Sequence, residues 1–134
     1  MSTKYAVTFA EFTAKHYIQN FVKQHSELRW KLTATALRAL CANAEESMQG
    51  NKLMVVVEFE QLRLCELDFA VAGTGLSPRA SGCRAIALIN KHTQNAEILL
   101  VYHVTDIVKK GNETDAWKRI IADNYPYCAE LVKS

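Results

Sequence analysis

Three consecutive segments between Leu64 and Val104 have the pattern of β-strands, and they constrain the fold more than any other part of the sequence. Residues 65–71 alternate apolar and polar side chains, which is the period of a half-buried strand. After a stretch rich in glycine, residues 84–90 and 96–103 read as the two arms of a β-hairpin, with the loop at 91–95. These segments therefore predict a sheet that contains at least three strands.

Helical patterns flank this region on both sides. Apolar residues recur at intervals of three and four over residues 10–25, which is typical of an amphipathic helix. Ser26 then serves as the N-cap of a second helix over residues 27–47, so that the two helices form an antiparallel hairpin. A last helix begins after Asn112, which can cap it, and ends before Pro126.

The order of these elements predicts a single α+β domain over residues 1–134. A short strand at residues 4–9 comes first, and residues 53–59 are either a strand or a short helix. The expected architecture is β-α-α-β(n)-α, with the helical hairpin and the C-terminal helix packed on a mostly antiparallel sheet. Whether residues 53–59 join that sheet is left open by the sequence.

Composition excludes several classes of protein. The chain has 134 residues, with 16 basic and 14 acidic side chains, and no stretch approaches the roughly 20 apolar residues that span a bilayer. Its first residues lack the pattern of a signal peptide, so we expect a cytoplasmic protein without a membrane partner.

The cysteines argue for neither disulfides nor a metal site. All four are widely spaced and are expected to be reduced thiols. No metal site and no cofactor is predicted, because no Cys or His spacing fits a metal.

Basic residues are concentrated in one part of the chain. Residues 78–110 contain five Lys or Arg and two His side chains but only two acids. A local excess of positive charge favours an anionic partner.

The hairpin brings one of these basic residues close to an aromatic side chain. With the loop at 91–95, Asn90 faces Ala96 and Arg84 faces Tyr102, whereas a slip of one residue places Arg84 beside His103 instead. Arg84 also shares a face with apolar side chains, so its guanidinium needs an anionic partner. That partner is either a ligand phosphate or a carboxylate of the protein, and the candidates are Glu66, Asp68 and Glu97.

The chain resembles the RelE/ParE superfamily of small bacterial toxins, in particular the RelE-like messenger-RNA endonucleases. The similarity lies in the element order and in the run 79–84, Arg-Ala-Ser-Gly-Cys-Arg, which leads into an apolar strand and a hairpin. The final strand 98–103, which ends in Tyr-His, is also similar to the family.

This resemblance implies metal-independent RNA cleavage through attack by the 2′-hydroxyl. Arg84 would hold the scissile phosphate, while Tyr102 and His103 would carry protons or stack on bases. The further RNA-binding residues would be Arg79, Lys91, Lys109 and Lys110. The implied partners are a cognate antitoxin, which lays a helix or strand over the domain, and RNA, including ribosome-bound messenger RNA.

Other interpretations of the same residues stay open. The domain is alternatively a ParE-like inhibitor that binds a protein target such as a topoisomerase, or an interaction module without catalysis. Tyr102 is alternatively a core residue whose hydroxyl has a partner, and His103 a half-buried sheet residue that is hydrogen-bonded to the backbone. Arg79 and the pair Lys109-Lys110 are alternatively solvated surface charges.

Overall fold

The four predicted strands pair into one sheet, and the uncertain segment 53–59 adds a fifth strand. In the computed structural model, which describes residues 4–133, the strands are β1 (Ala6–Phe9), β2 (Met54–Phe59), β3 (Leu62–Phe69), β4 (Cys83–Asn90) and β5 (Asn95–His103). Their order across the sheet is β1-β5-β4-β3-β2. β1 runs parallel to β5 and the other neighbours are antiparallel. The α+β class is therefore confirmed, and the uncertain segment 53–59 is the edge strand β2.

The helices follow the predicted order with one interruption. They are α1 (residues 11–24, π-helical over Ala14–Ile18), α2 (Glu27–Ala42), α3 (Ala44–Gln49), α4 (Val104–Ile107), α5 (Glu113–Asn124) and α6 (Ala129–Lys133). The single helix expected over 27–47 is wrong, because Asn43 leaves helical geometry at φ −101° and ψ 45° and separates α2 from α3.

Both predicted caps are present. Ser26 Oγ accepts a hydrogen bond from the amide of Arg29 at 3.1 Å, and Asn112 Oδ1 accepts one from the amide of Asp115 at 2.8 Å. Each cap satisfies an amide that the first turn of its helix leaves without a partner.

The hairpin register is partly as predicted and partly corrected by a bulge. Arg84 faces Tyr102 as expected, but Asn90 faces Asn95 rather than Ala96, so the loop is one residue shorter. A register shift between Ile86 and Ala87 inserts one extra residue in β5 and restores the expected pairing toward the strand end. The sequence could not show this shift, because residues 98–102 form a continuous apolar run in which a change in the phase of the alternation is invisible.

Helices cover both faces of the sheet. The helical hairpin buries Trp30 and Leu37 against one face, here called the hairpin face. On the other face, here called the C-terminal face, α5 buries Trp117 and Ile121. With cover on both sides, β5 is buried along most of its length, which explains its continuous apolar run.

The four cysteines, Cys41, Cys65, Cys83 and Cys128, are free thiols, and all are buried. Burial raises the pKa of the Cys83 thiol above its ordinary value, so Cys83 packs as a small apolar side chain. None of the helices formed by residues 4–133 combines the length and apolar character that crossing a membrane requires.

Candidate functional site

Three polar side chains form a row across β3, β4 and β5 at one end of the sheet. Arg84 on β4 is opposite Asp68 on β3 and Tyr102 on β5, and all three lie on the C-terminal face. Arg84 Nε lies 2.9 Å from Asp68 Oδ1, and its Nη1 donates a hydrogen bond to the carbonyl of Cys83 at 3.0 Å. The anionic partner of Arg84 in the structure is therefore a carboxylate of the protein. This is one of the two partners that the sequence left open, the other being a ligand phosphate.

The first turn of helix α5 contacts this row of side chains on the C-terminal face. Glu113, in the first turn of α5, places its Oε2 3.7 Å from Arg84 Nε and 2.6 Å from the hydroxyl of Tyr102, which donates a hydrogen bond to it. One carboxylate therefore joins the arginine and the tyrosine. In the sequence, Glu113 stands only as an acid in the first turn of the last helix, and nothing local points to Arg84 or Tyr102.

A third carboxylate, Glu66, lies two residues before Asp68 on the same face of β3. Burial raises the pKa of Glu66, and the negative charge of Glu113 raises it further. Among residues 4–133, Trp117 Nε1 has no partner that meets hydrogen-bond geometry, but the indole N–H is near enough to Glu66 to favour the charged form of that carboxyl and lower its pKa in part. Glu66 is therefore a half-buried acid and does not simply face solvent.

Tyr102 is inaccessible at this position. Its side chain is fully buried, and burial together with the hydrogen bond to Glu113 raises the pKa of the hydroxyl strongly. The hydroxyl consequently remains protonated at neutral pH and donates to a carboxylate of the protein. This environment agrees with the alternative interpretation of Tyr102 as a core residue.

The cluster around Arg84 contains more acidic than basic side chains. Asp68 and Glu113 lie 2.9 Å and 3.7 Å from Arg84 Nε, and Glu66 is near enough to interact with it electrostatically, so three carboxylates lie near this one cation. A phosphate placed here would have to displace at least one carboxylate from Arg84 and approach the others. Electrostatics therefore disfavours an anionic ligand at Arg84 as the structure has it.

His103 lies apart from Arg84 and Tyr102, on the hairpin face. It is opposite Cys83 and its Nδ1 lies 2.8 Å from the hydroxyl of Thr105, whose amide donates to the same nitrogen at 3.2 Å. Its Nε2 would be only 2.7 Å from a Cβ at Gly82. The three residues expected to share catalysis thus divide between two faces of the sheet.

The loop before β4 is anchored by the serine of the run that resembles the toxins. The hydroxyl of Ser81 donates to the carbonyl of Phe69 and accepts from the amide of Cys83 at 3.0 Å. This arrangement holds Arg79 exposed at a cleft of about 430 Å³, which Glu66 and Asp68 also line. The serine acts here by fixing the loop against β3.

The other predicted basic residues lie in two separate places. Lys91 follows β4 at the opposite end of the sheet, roughly 23 Å along the strand from Arg84. Lys109 and Lys110 line a cleft of about 380 Å³ between α4 and α5, together with Arg119 and Asp115. Arg119 was not among the predicted residues, because it lies inside a helix and has no motif around it.

Residues 4–133 contain no group of three or more His, Cys, Asp or Glu side chains arranged to hold a metal ion. Comparisons with known proteins gave no match, whether with protein-family models, with curated proteins or with solved structures.

Proposed function

We propose that this chain is a protein-binding domain of the RelE/ParE-like kind, which acts on a protein partner rather than by cleaving RNA at Arg84. The observation that carries the proposal is the commitment of the Arg84 guanidinium to Asp68, at 2.9 Å, and to Glu113. A phosphate clamp needs a cation whose charge is available to the ligand. The inhibitor and the interaction module that the resemblance allows need no such cation.

An exposed apolar stripe on the helical hairpin supports protein binding. Leu28 and Leu32, one turn apart on α2, are 68% and 54% exposed. Neighbouring apolar side chains on an exposed helix face are typical of a surface that packs against another protein. An antitoxin helix or a target protein is the partner that this proposal places there.

The proposal is tested by inducing the protein in bacterial cells while growth and messenger-RNA integrity are measured together. We expect intact messenger RNA, and we expect any slowing of growth to be lost in the Leu28→Lys/Leu32→Lys variant, whose fold is checked by circular dichroism. Cleavage of messenger RNA that disappears in a folded Arg84→Ala variant would contradict the proposal.

A second candidate is RNA binding at the cleft between α4 and α5. Lys109, Lys110 and Arg119 face a single acid, Asp115, there. Three cations around one cleft favour a polyanion more than the acidic row at Arg84 does. RNA binding that is weakened by Lys109→Ala/Lys110→Ala but unchanged by Arg79→Ala would support this candidate.

A further inference from the structure

The edge strand β2 carries an unusual amount of exposed apolar surface. Of its six residues, Met54, Val55, Val56 and Phe59 are 61%, 43%, 37% and 57% exposed. β2 is the last strand of the sheet, so no strand within residues 4–133 pairs with its outer edge. A free edge of this composition is a template for pairing with another strand.

The usual protection of an edge strand is weak here. β2 contains no proline, and its single charged residue, Glu58, is neutralised by Arg63 of the same chain at 2.9 Å. The one protecting device is the register shift between Val55 and Val57. Such a bulge increases the local twist, but it leaves strand residues on either side of Val56 able to pair.

We propose that the outer edge of β2 pairs antiparallel with β2 of a second copy of this chain, which joins the two sheets into one continuous sheet. This inference goes beyond the proposed function and does not depend on Arg84. The apolar surface that it covers is separate from the leucines of α2.

The faces of the strand fix the register of this pair. Met54 is opposite Glu66 and Phe59 is opposite Leu62, and Glu66 and Leu62 point to the same face of β3, so Met54 and Phe59 share the C-terminal face despite the bulge. An antiparallel pair keeps side chains on their own faces when Met54 of one copy opposes Phe59 of the other. The two most exposed apolar residues of β2 then cover each other, and Val56 opposes Val57.

A groove beside Phe59 can receive the methionine of the second copy. Val57, Phe59, Leu62 and Tyr127 line it, and its volume is about 600 Å³. The flexible thioether of methionine fills irregular apolar space and packs well at aromatic rings. Because the pairing is two-fold, this contact occurs twice.

The charges that flank β2 match the same register. Lys52 precedes the strand and Glu60 follows it in the turn to β3. Antiparallel pairing with Met54 opposite Phe59 brings Lys52 of each copy next to the turn that holds Glu60 of the other. Opposite charges at both ends of the pair favour the antiparallel second copy over a parallel one, which would bring like charges together.

The test is the molar mass of the full chain, measured by light scattering and sedimentation over a wide range of concentration. We expect a dimer that Met54→Lys weakens by about tenfold or more, since an apolar contact made twice is replaced by a charge. Phe59→Lys is expected to act alike. Leu28→Lys, an equally exposed apolar position on α2, is the matched control and leaves the dimer unchanged. Circular dichroism and the Tm confirm that each variant is folded.

A second test exchanges the two charges that flank β2, Lys52 and Glu60, and includes a double variant that is expected to restore the dimer. Lys52→Glu and Glu60→Lys each weaken the dimer, and the double variant restores it, because the two charges are exchanged across the pair. A chain that stays monomeric at every concentration overturns the proposal. A dimer that Leu28→Lys dissociates, and that Met54→Lys and Phe59→Lys leave intact, also overturns it. Neither result bears on messenger-RNA integrity, so the proposed function is judged separately.

Discussion

Arg84 Nε lies 2.9 Å from Asp68 Oδ1, and this ion pair ties β4 to β3 at the end of the sheet where helix α5 begins. The side chain of Arg84 is 17% exposed, so the pair is only partly screened by water. Glu113 extends it to α5. The guanidinium therefore connects three elements, and its loss is expected to lower the stability of the domain.

Arg84→Ala is expected to lower the free energy of unfolding by about 2 kcal/mol. The change leaves Asp68 and Glu113 near each other without their cation, and an uncompensated, partly buried charge is costly. Chemical denaturation of both proteins measures the difference. Arg79→Ala, which removes an exposed arginine from the neighbouring loop, is the control and is expected to change stability by less than about 0.5 kcal/mol. Equal effects of the two substitutions would contradict a structural role for Arg84.

Tyr102→Phe is expected to destabilise the domain by about 1.5 kcal/mol. The substitution removes the hydroxyl that donates a hydrogen bond to Glu113 at 2.6 Å. The half-buried carboxylate of Glu113 then lacks this donor, which is costly. Tyr127→Phe is the matched control, because its hydroxyl also donates to a carboxylate, Glu97 at 2.7 Å, but in an exposed position. Thermal unfolding should show a clearly lower Tm for Tyr102→Phe alone. The interpretation fails if the exposed pair contributes as much as the buried one.

Glu66→Gln is expected to change how stability depends on pH. The pKa of Glu66 is raised in the folded protein, so above the ordinary value of 4.5 the unfolded chain ionises first and stability falls as pH rises. Below that value the carboxyl is neutral in both states and carries no penalty. The variant should therefore gain stability relative to the wild type between pH 4.5 and neutrality, measured by denaturation across that range.

The exposed Glu130→Gln serves as the control for this pH series and should track the wild type. If Glu66→Gln instead became less stable than the wild type as the pH rises above 4.5, the folded state would favour the charged form of Glu66, and the prediction would be wrong.

Gly82→Ala is expected to destabilise the domain more than Gly111→Ala. Both glycines have positive φ, at 76° and 78°, so both substitutions carry the strain of that conformation. At Gly82 the new Cβ would also lie 2.7 Å from His103 Nε2, whereas at Gly111 no atom of residues 4–133 other than its chain neighbours lies within 4 Å of the new Cβ. The free energies of unfolding of the two variants isolate the clash. Adding His103→Ala to Gly82→Ala should recover the excess cost, and a failure to recover it would place the imidazole elsewhere.

Much of the fold follows from local patterns. Alternation in 65–71 predicted β3, the Arg84–Tyr102 pairing was found in one of the two registers considered, and Ser26 and Asn112 cap helices as their positions predicted. These features depend on side chains close together in sequence, or on strands joined by a short loop. The break at Asn43 was missed because no proline or glycine marks it.

The candidate site was less predictable, because its charges come from distant parts of the chain. Asp68 and Arg84 are 16 positions apart in sequence and Glu113 comes 29 positions after Arg84, so their meeting depends on the order of strands and on where α5 crosses the sheet. The register of β3 against β4 and the position of α5 decide which carboxylates reach the guanidinium. Basic residues in one stretch of sequence, such as Lys91 and Arg84, are for the same reason far apart in space.

Whether the Arg84 guanidinium is available to RNA is tested most directly by following its Nε–H signal by nuclear magnetic resonance while an RNA oligonucleotide is added. Because the guanidinium is occupied by carboxylates of its own domain, this signal is expected to move when Asp68 is changed to Asn and to stay in place during the RNA titration. A saturable shift of the signal with RNA, together with no response to Asp68→Asn, would contradict this expectation.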